Sequence, residues 1–211
     1  DTHFMEVDMN TPNKISLTRL FFAILMVTVY SLNFIPESSA FAPKIPTTDF
    51  NWIDITSACI FILGSITDAI DGKIARKRNL ITDLGKFIDP LADKFLVDAA
   101  FILLATRKGM GDTFYIYPFL VVLFVGRDIA VDGLRMIANS KNRVLAANIY
   151  GKIKTVMEMI IIPVIFLSGF PFNYLLKING FDYSFILTNV IAGFTLLMSW
   201  ISGSIYFKEN I

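Results

Sequence analysis

Residues 68–93 read DAIDGKIARKRNLITDLGKFIDPLAD, with the spacing D-x2-D-G-x2-A-R-x8-G-x3-D-x3-D. The aspartates Asp68, Asp71, Asp89 and Asp93 stand in a chain of 211 residues that is 55% hydrophobic. Its mean hydropathy is +0.60. That is too apolar for an ordinary soluble domain and fits a polytopic membrane protein. Ionisable side chains at membrane depth are costly, so an acidic cluster there marks a functional site by default. Helix positions three and four apart share a face. Asp68, Asp71 and Ala75 then form one stripe, Gly85, Asp89 and Asp93 form another, and the turn from Lys77 to Thr82 joins them.

Outward from this block the chain is predicted to be all-α, with six transmembrane helices and a polar, metal-containing cavity at the cytoplasmic side. A span needs about 20 residues, and the candidates are 17–35, 52–74, 84–106, 114–138, 146–170 and 183–206. The first is read as a retained span and not a cleaved signal, because its apolar run is long and PESSAF is a weak cleavage context. Residues 1–9 are expected to be a leader or an appended remnant, and 10–211 a single membrane domain. The loop from Pro36 to Phe50 reads as an irregular external connection. Pro163 should kink the fifth span, and Cys59, in an apolar run, should be a packing residue.

In helices two to five the charges crowd one end: Asp68 to Arg78, Lys86 to Asp98, Arg127 to Arg135, and Arg143 to Lys154. With alternating helix directions these ends face one side. The basic excess in those segments (Lys73, Arg76, Lys77, Arg78, Lys86, Lys141, Arg143, Lys152, Lys154) contrasts with Lys44, Arg107, Lys108 and Lys177 in the other loops. The positive-inside rule then makes the charged ends and both termini cytoplasmic. A bacterial plasma membrane is the expected location. A net charge of +1 excludes a nucleic-acid protein, which would show a strong basic excess or face.

Converging carboxylates raise one another's pKa, and divalent metal resolves that conflict. All-oxygen ligation suits Mg2+, Mn2+ or Ca2+, whereas zinc would recruit His or Cys, and His3 and Cys59 lie far from the block. Two cations fit the ligand count, an arrangement suited to in-line phosphoryl displacement. Gly72, Ala75 and Gly85 would let a ligand approach the backbone, although small residues also serve tight helix packing in membranes.

The set Asp68, Asp71, Gly72, Ala75, Arg76, Gly85, Asp89, Asp93 resembles the signature of the CDP-alcohol phosphotransferase family, with no position missing. The resemblance implies a six-helix membrane fold and transfer of a substituted phosphate from a CDP-linked donor to an alcohol, releasing CMP. It further implies two divalent cations, Mg2+ or Mn2+, on Asp68, Asp71, Asp89 and Asp93. Asp93 would also be the catalytic base. Gly72, Ala75, Arg76 and Gly85 would bind the nucleotide, and the enzyme would be a homodimer.

Three further segments carry the acceptor reading: PNKISLTR with Asn13, Ser16 and Arg19; GRDIAVDGLR over 126–135; and GKIKT over 151–155. They resemble the branch of the family that joins CDP-diacylglycerol to sn-glycerol 3-phosphate. Arg127, Arg135, Lys152, Lys154 and Thr155 are the candidate acceptor-phosphate ligands, arginine being suited to bidentate phosphate contact. The alternative is that Asp132 pairs with Arg135, and Lys154 with Glu158, as self-neutralising helical neighbours. Two positions depart from the family pattern: Asp128 stands where glutamate is usual, and Glu158 where an amide is. Asp98 is a further deep acid off the Asp89/Asp93 stripe. Inositol phosphate, phosphatidylglycerol and serine are the rival acceptors. A membrane prenyltransferase or a cation transporter would be a different class.

Overall fold

The computed structural model describes the backbone of residues 11–35, 42–46, 48–78, 83–109, 112–140, 149–178 and 181–210. It describes the side chains of 17–35, 42–46, 48–67, 94–109, 112–134, 149–178 and 182–205. Among these, six long helices dominate: α1 (Thr11–Ser31), α2 (Trp52–Arg78), α3 (Asp83–Leu104), α4 (Pro118–Ser140), α5 (Ile149–Phe166) and α6 (Ser184–Asn210). They fall on the six apolar stretches. Short elements are added: a 3-10 turn at Leu32–Phe34, a helical turn at Phe172–Leu175, and a two-stranded hairpin pairing Lys177 with Asp182 and Ile178 with Phe181. The long elements are thus all-α. The fifth helix is shorter than the apolar run that announces it, because Ser168 and Gly169 take positive φ values of 52° and 80° and end it. Pro163 lies inside α5, which continues three residues beyond it.

Leu17–Phe34 and Ser184–Ile205 are long and apolar enough to cross a membrane by length and composition. The other helices carry charge, yet their outward faces are apolar too. Val122 and Ile129 on α4, Val156 and Ile160 on α5, and Val190 and Leu197 on α6 are all exposed, whereas Arg19, Asp54, Arg127, Asp128, Lys154 and Glu158 are buried. Apolar surface outside and paired charge inside is the arrangement a lipid solvent demands. Cys59 belongs to the outward face of α2 with Trp52, Leu63 and Ile66. It does not pack in the core as its apolar neighbourhood suggested; helical periodicity turns Ala58, Ile60 and Phe61 inward instead.

The helices pack in two groups. Helix α1 lies along both α2 and α3, while α6 lies along α4 and α5; α2 and α3 meet α5, and α3 also meets α4. Gly64 makes the first group close: a Cβ there would stand 2.9 Å from Leu96 Cδ2 of α3 and 3.4 Å from Phe22 Cβ of α1. Between groups, Phe101 of α3 stacks on Phe124 of α4 at 4.9 Å and 10°, and Tyr30 of α1 meets Phe166 of α5 edge-on at 5.4 Å.

One end of the bundle is fastened by polar contacts. Asn51 and Asp54 form a reciprocal cap at the start of α2: the Asp54 N–H donates to Asn51 Oδ1, and the Asn51 N–H donates to Asp54 Oδ2, each at 3.0 Å. This is the capping-box geometry, with aspartate in place of the usual glutamate. Arg107, just past α3, donates Nη1 and Nη2 to the two Asp54 oxygens at 2.5 and 2.8 Å, and Nη2 also reaches Ser168 Oγ at 2.7 Å. Asn33, past α1, donates to Asp54 Oδ1 at 3.1 Å. Burial pushes the Arg107 pKa down, but the bonds and charge of Asp54 more than offset this and hold it above the ordinary arginine value. Thr188 and Asn189 of α6 donate to the carbonyls of Tyr115 and Phe114 at 2.6 and 2.9 Å, fixing the entry to α4. The described part of the loop before α2 is bends and turns with one isolated bridge, Lys44 to Asn51. The Ile45 N–H bonds the Phe50 carbonyl at 3.1 Å, and Phe50 is buried against Phe170.

These contacts gather the ends of α1, α3 and α5 with the starts of α2, α4 and α6. Removing one partner of a buried ion pair leaves an uncompensated charge. Asp54→Ala is therefore expected to destabilise the detergent-solubilised protein by about 3–5 kcal/mol. Reversible denaturant unfolding reads this directly, and a loss below about 0.5 kcal/mol would show that the clasp contributes no more than an ordinary surface site.

Candidate active site

The opposite end of the bundle holds the end of α2 with the start of α3, and the end of α4 with the start of α5. Both signature stripes are helical in backbone, Asp68, Asp71, Gly72, Ala75 and Arg76 on α2 and Gly85, Asp89 and Asp93 on α3. Their side chains lie outside the described residues, as do those of Asn13, Ser16 and Arg135. Helices α2 and α3 run antiparallel, since Asp54 meets Arg107 and Gly64 meets Leu96. Among the described residues no group of three His, Cys, Asp or Glu is arranged to hold a metal.

What the described side chains do show is an ionic cluster centred on Asp128, one helical turn beyond Phe124. The Lys154 ammonium of α5 donates to both Asp128 carboxylate oxygens at 2.6 Å. Arg127 Nη1 donates to Asp128 Oδ1 at 2.9 Å, and its Nε donates to the Ser199 carbonyl of α6, also at 2.9 Å. Gly203 of α6 lies beside this contact: a Cβ there would meet Arg127 Nε at 3.7 Å and Val131 Cγ2 at 3.4 Å, ordinary contact distances. Lys94 of α3 donates to the Asp128 carbonyl at 3.0 Å and pairs with the Asp132 carboxylate. Glu158 Oε1 is 3.2 Å from Lys154 Nζ, yet it is buried with no hydrogen-bond partner. Asp98 faces the same charges: Asp128, Lys154, Lys94 and Asp132.

The candidate acceptor residues divide accordingly. Arg127 and Lys154 are buried and held by Asp128. Lys152 and Thr155 are exposed on α5, and the Thr155 hydroxyl donates back to the Gly151 carbonyl at 3.1 Å. Arg19 is buried on α1. Asp132 takes Lys94 as its partner, and the Lys154–Glu158 neighbour pair is present but secondary to Asp128. Lys94 is the residue that sequence reasoning passed over. Its signal was its position: directly after Asp93, it is a cation one residue off the carboxylate stripe.

A model of CDP-alcohol phosphatidyltransferases matches residues 9–201. The chain belongs to the CDP-alcohol phosphatidyltransferase family. A CDP-diacylglycerol–glycerol-3-phosphate 3-phosphatidyltransferase of Bacillus subtilis (strain 168) is 34% identical over 95% of both chains. One of the same name from Rickettsia felis is 28% identical over 97% of both. A third, from Arabidopsis thaliana, is 37% identical over 56% of this chain and 54% of its own length. The match runs from before α1 into α6, so the Asp128 cluster and the two stripes sit within one family unit.

Burial separates the two neighbouring lysines. A water-soluble amine-acylating reagent is expected to modify Lys152 at least about tenfold faster than Lys154, whose ammonium is tied up in charge-assisted bonds. Peptide mass spectrometry after brief labelling checks this, and equal labelling would contradict the buried pairing of Lys154 with Asp128.

Proposed function

We propose that this chain transfers the phosphatidyl group of CDP-diacylglycerol to sn-glycerol 3-phosphate, giving phosphatidylglycerophosphate and CMP. One observation carries the reading: an unbroken family signature lies on two helices that pack antiparallel. The pairings of Asp54 with Arg107 and Gly64 with Leu96 set a register. Continued along the two helices, it brings the level of Asp71 to that of Asp89 and the level of Asp68 to that of Asp93. An all-carboxylate donor set of this kind fits Mg2+ or Mn2+, with Asp68, Asp71, Asp89 and Asp93 as the ligands. When bound, two such cations neutralise the donor diphosphate and stabilise charge developing on the attacked phosphoryl group.

The chain's own residues supply the rest. Gly72, Ala75 and Gly85 leave room beside the nucleotide, and Arg76 meets its phosphates. Asp93 accepts the proton of the sn-1 hydroxyl of glycerol 3-phosphate as its oxygen attacks the lipid-side phosphorus, and CMP leaves. Arg135, Lys152, Lys154, Thr155 and Arg127 form the cationic side for the acceptor phosphate. Six helices span the membrane, with the polar end and both termini in the cytoplasm, on the lysine and arginine count of the loops. The donor's acyl chains stay in lipid, against the apolar outward faces. Two chains associate as a homodimer.

The test is CMP release by the purified protein with CDP-diacylglycerol and Mg2+ or Mn2+, offering glycerol 3-phosphate, inositol phosphate, serine or phosphatidylglycerol. Release with glycerol 3-phosphate alone is expected, and release with another alcohol alone would replace the acceptor. Chelation with EDTA should abolish turnover, and added Mg2+ or Mn2+ should restore it. Asp93→Asn should lower kcat at least about a hundredfold, the low end for loss of a general base, and near-normal turnover would remove Asp93 from that role.

A further inference from the structure

We propose that Asp128 is a positioning residue that aims Lys154 at the acceptor phosphate, holding it against capture by Glu158. This rests on the phosphatidyl-transfer reading above. Lys154 lies between two acids. It bonds both oxygens of Asp128 at 2.6 Å, whereas Glu158, one turn further along α5, has Oε1 at 3.2 Å but outside hydrogen-bond geometry. Glu158 is 3% exposed. Its oxygen is a buried acceptor without a donor, and such a group draws strongly on the nearest one. The nearest cation is Lys154. Only the stronger attachment to Asp128 keeps the ammonium turned toward α4.

The direction matters because the chain runs from the polar end of α5 toward the opposite end. Glu158 stands four residues further along than Lys154, so capture would draw the ammonium along α5 away from its polar end. Asp128 also joins the elements around it. Its carbonyl receives Lys94, the neighbour of Asp93 on α3, and Oδ1 receives Arg127, which is tied to Ser199 of α6. One residue thereby sets the spacing between the carboxylate helix and the lysine of α5, and reaction rates are sensitive to misplacements of about 1 Å.

Kinetics of the purified enzyme decide it. Asp128→Asn keeps the shape and removes the charge, freeing Lys154 for Glu158. KM for glycerol 3-phosphate is expected to rise about tenfold, as befits a lost charge-assisted contact, with KM for CDP-diacylglycerol within about twofold of wild type. Asp128→Glu, which retains the charge, should restore most of the loss. The double variant Asp128→Asn with Glu158→Gln should recover at least about threefold of the lost affinity, because the competing acid is gone. An unchanged KM for glycerol 3-phosphate in Asp128→Asn overturns the proposal. So does an equal rise in both KM values, or no recovery in the double variant. Should Asp128→Asn not fold, Glu158→Gln alone decides: the proposal expects no rise in KM for glycerol 3-phosphate, and a rise overturns it. A wild-type enzyme that releases CMP only with another alcohol would overturn the acceptor assignment, a result visible before any variant is made.

Discussion

A charge enclosed among apolar helices is stable only beside its counter-charge, and the bundle is organised around two places where that condition is met. Asp54 with Arg107 fastens one end, and Asp128 with Lys154 and Arg127 ties the middle of α4 to α5 and α6. Isolated buried ions would each cost several kcal/mol, so neither set can be moved without its partners. Between them the contacts are apolar, as in the Phe101–Phe124 stack. Packing alone has little power to choose helix partners in lipid, because tails and side chains are equally apolar. The ionic contacts supply what packing lacks: they specify which helices meet.

Helix α3 owes its position to both. At its far end Arg107 binds Asp54 in the first turn of α2 and Ser168 after α5, and at mid-helix Lys94 binds the Asp128 carbonyl and the Asp132 carboxylate of α4. It is therefore held by polar contacts at the residue next to Asp93 and again just past its far end. A helix proposed to carry metal ligands and a base needs that restraint, since attachment at two levels resists both sliding and tilting. The two levels differ in kind. Around Asp54 the partners are chiefly neutral amides and one guanidinium, which also reaches a hydroxyl. Around Asp128 the acids Asp98, Asp132 and Glu158 share the cations Lys94, Lys154 and Arg127, so rearrangement within the group exchanges one ion pair for another.

Much of this was legible in the sequence. Apolar runs of span length gave the six long helices, because hydropathy over about 20 residues is a local property of the chain. The carboxylate block was legible because its spacing is helical and its composition is out of place. Asp128's partners were not, because Lys154 has an acid at i+4 in its own helix and the structure prefers one on another helix; local rules see only the first. Asp132 likewise meets a cation of another helix, Lys94 of α3, that local rules do not see. The Asn51-x-x-Asp54 cap has a readable spacing, but the same spacing occurs in many loops that cap nothing, so only the structure distinguishes it. Cys59 shows the limit of composition: an apolar neighbourhood does not say which face of a lipid-bathed helix a residue takes, as both faces are apolar.

Asp128 and Glu158, which the sequence reading sets apart from the family pattern, meet at a single ammonium. Read along the chain they are independent oddities thirty residues apart, one shortening an acid and the other creating one. In the bundle they are coupled. An acid at position 158 would draw Lys154 along its own helix unless a closer carboxylate held it, and the bond lengths show the shorter attachment going to Asp128. An amide at 158 would pose no such competition, and the residue at 128 would then be free to be longer. The pair is thus one solution to placing a single lysine, and substitution at either position should be judged with the other in view.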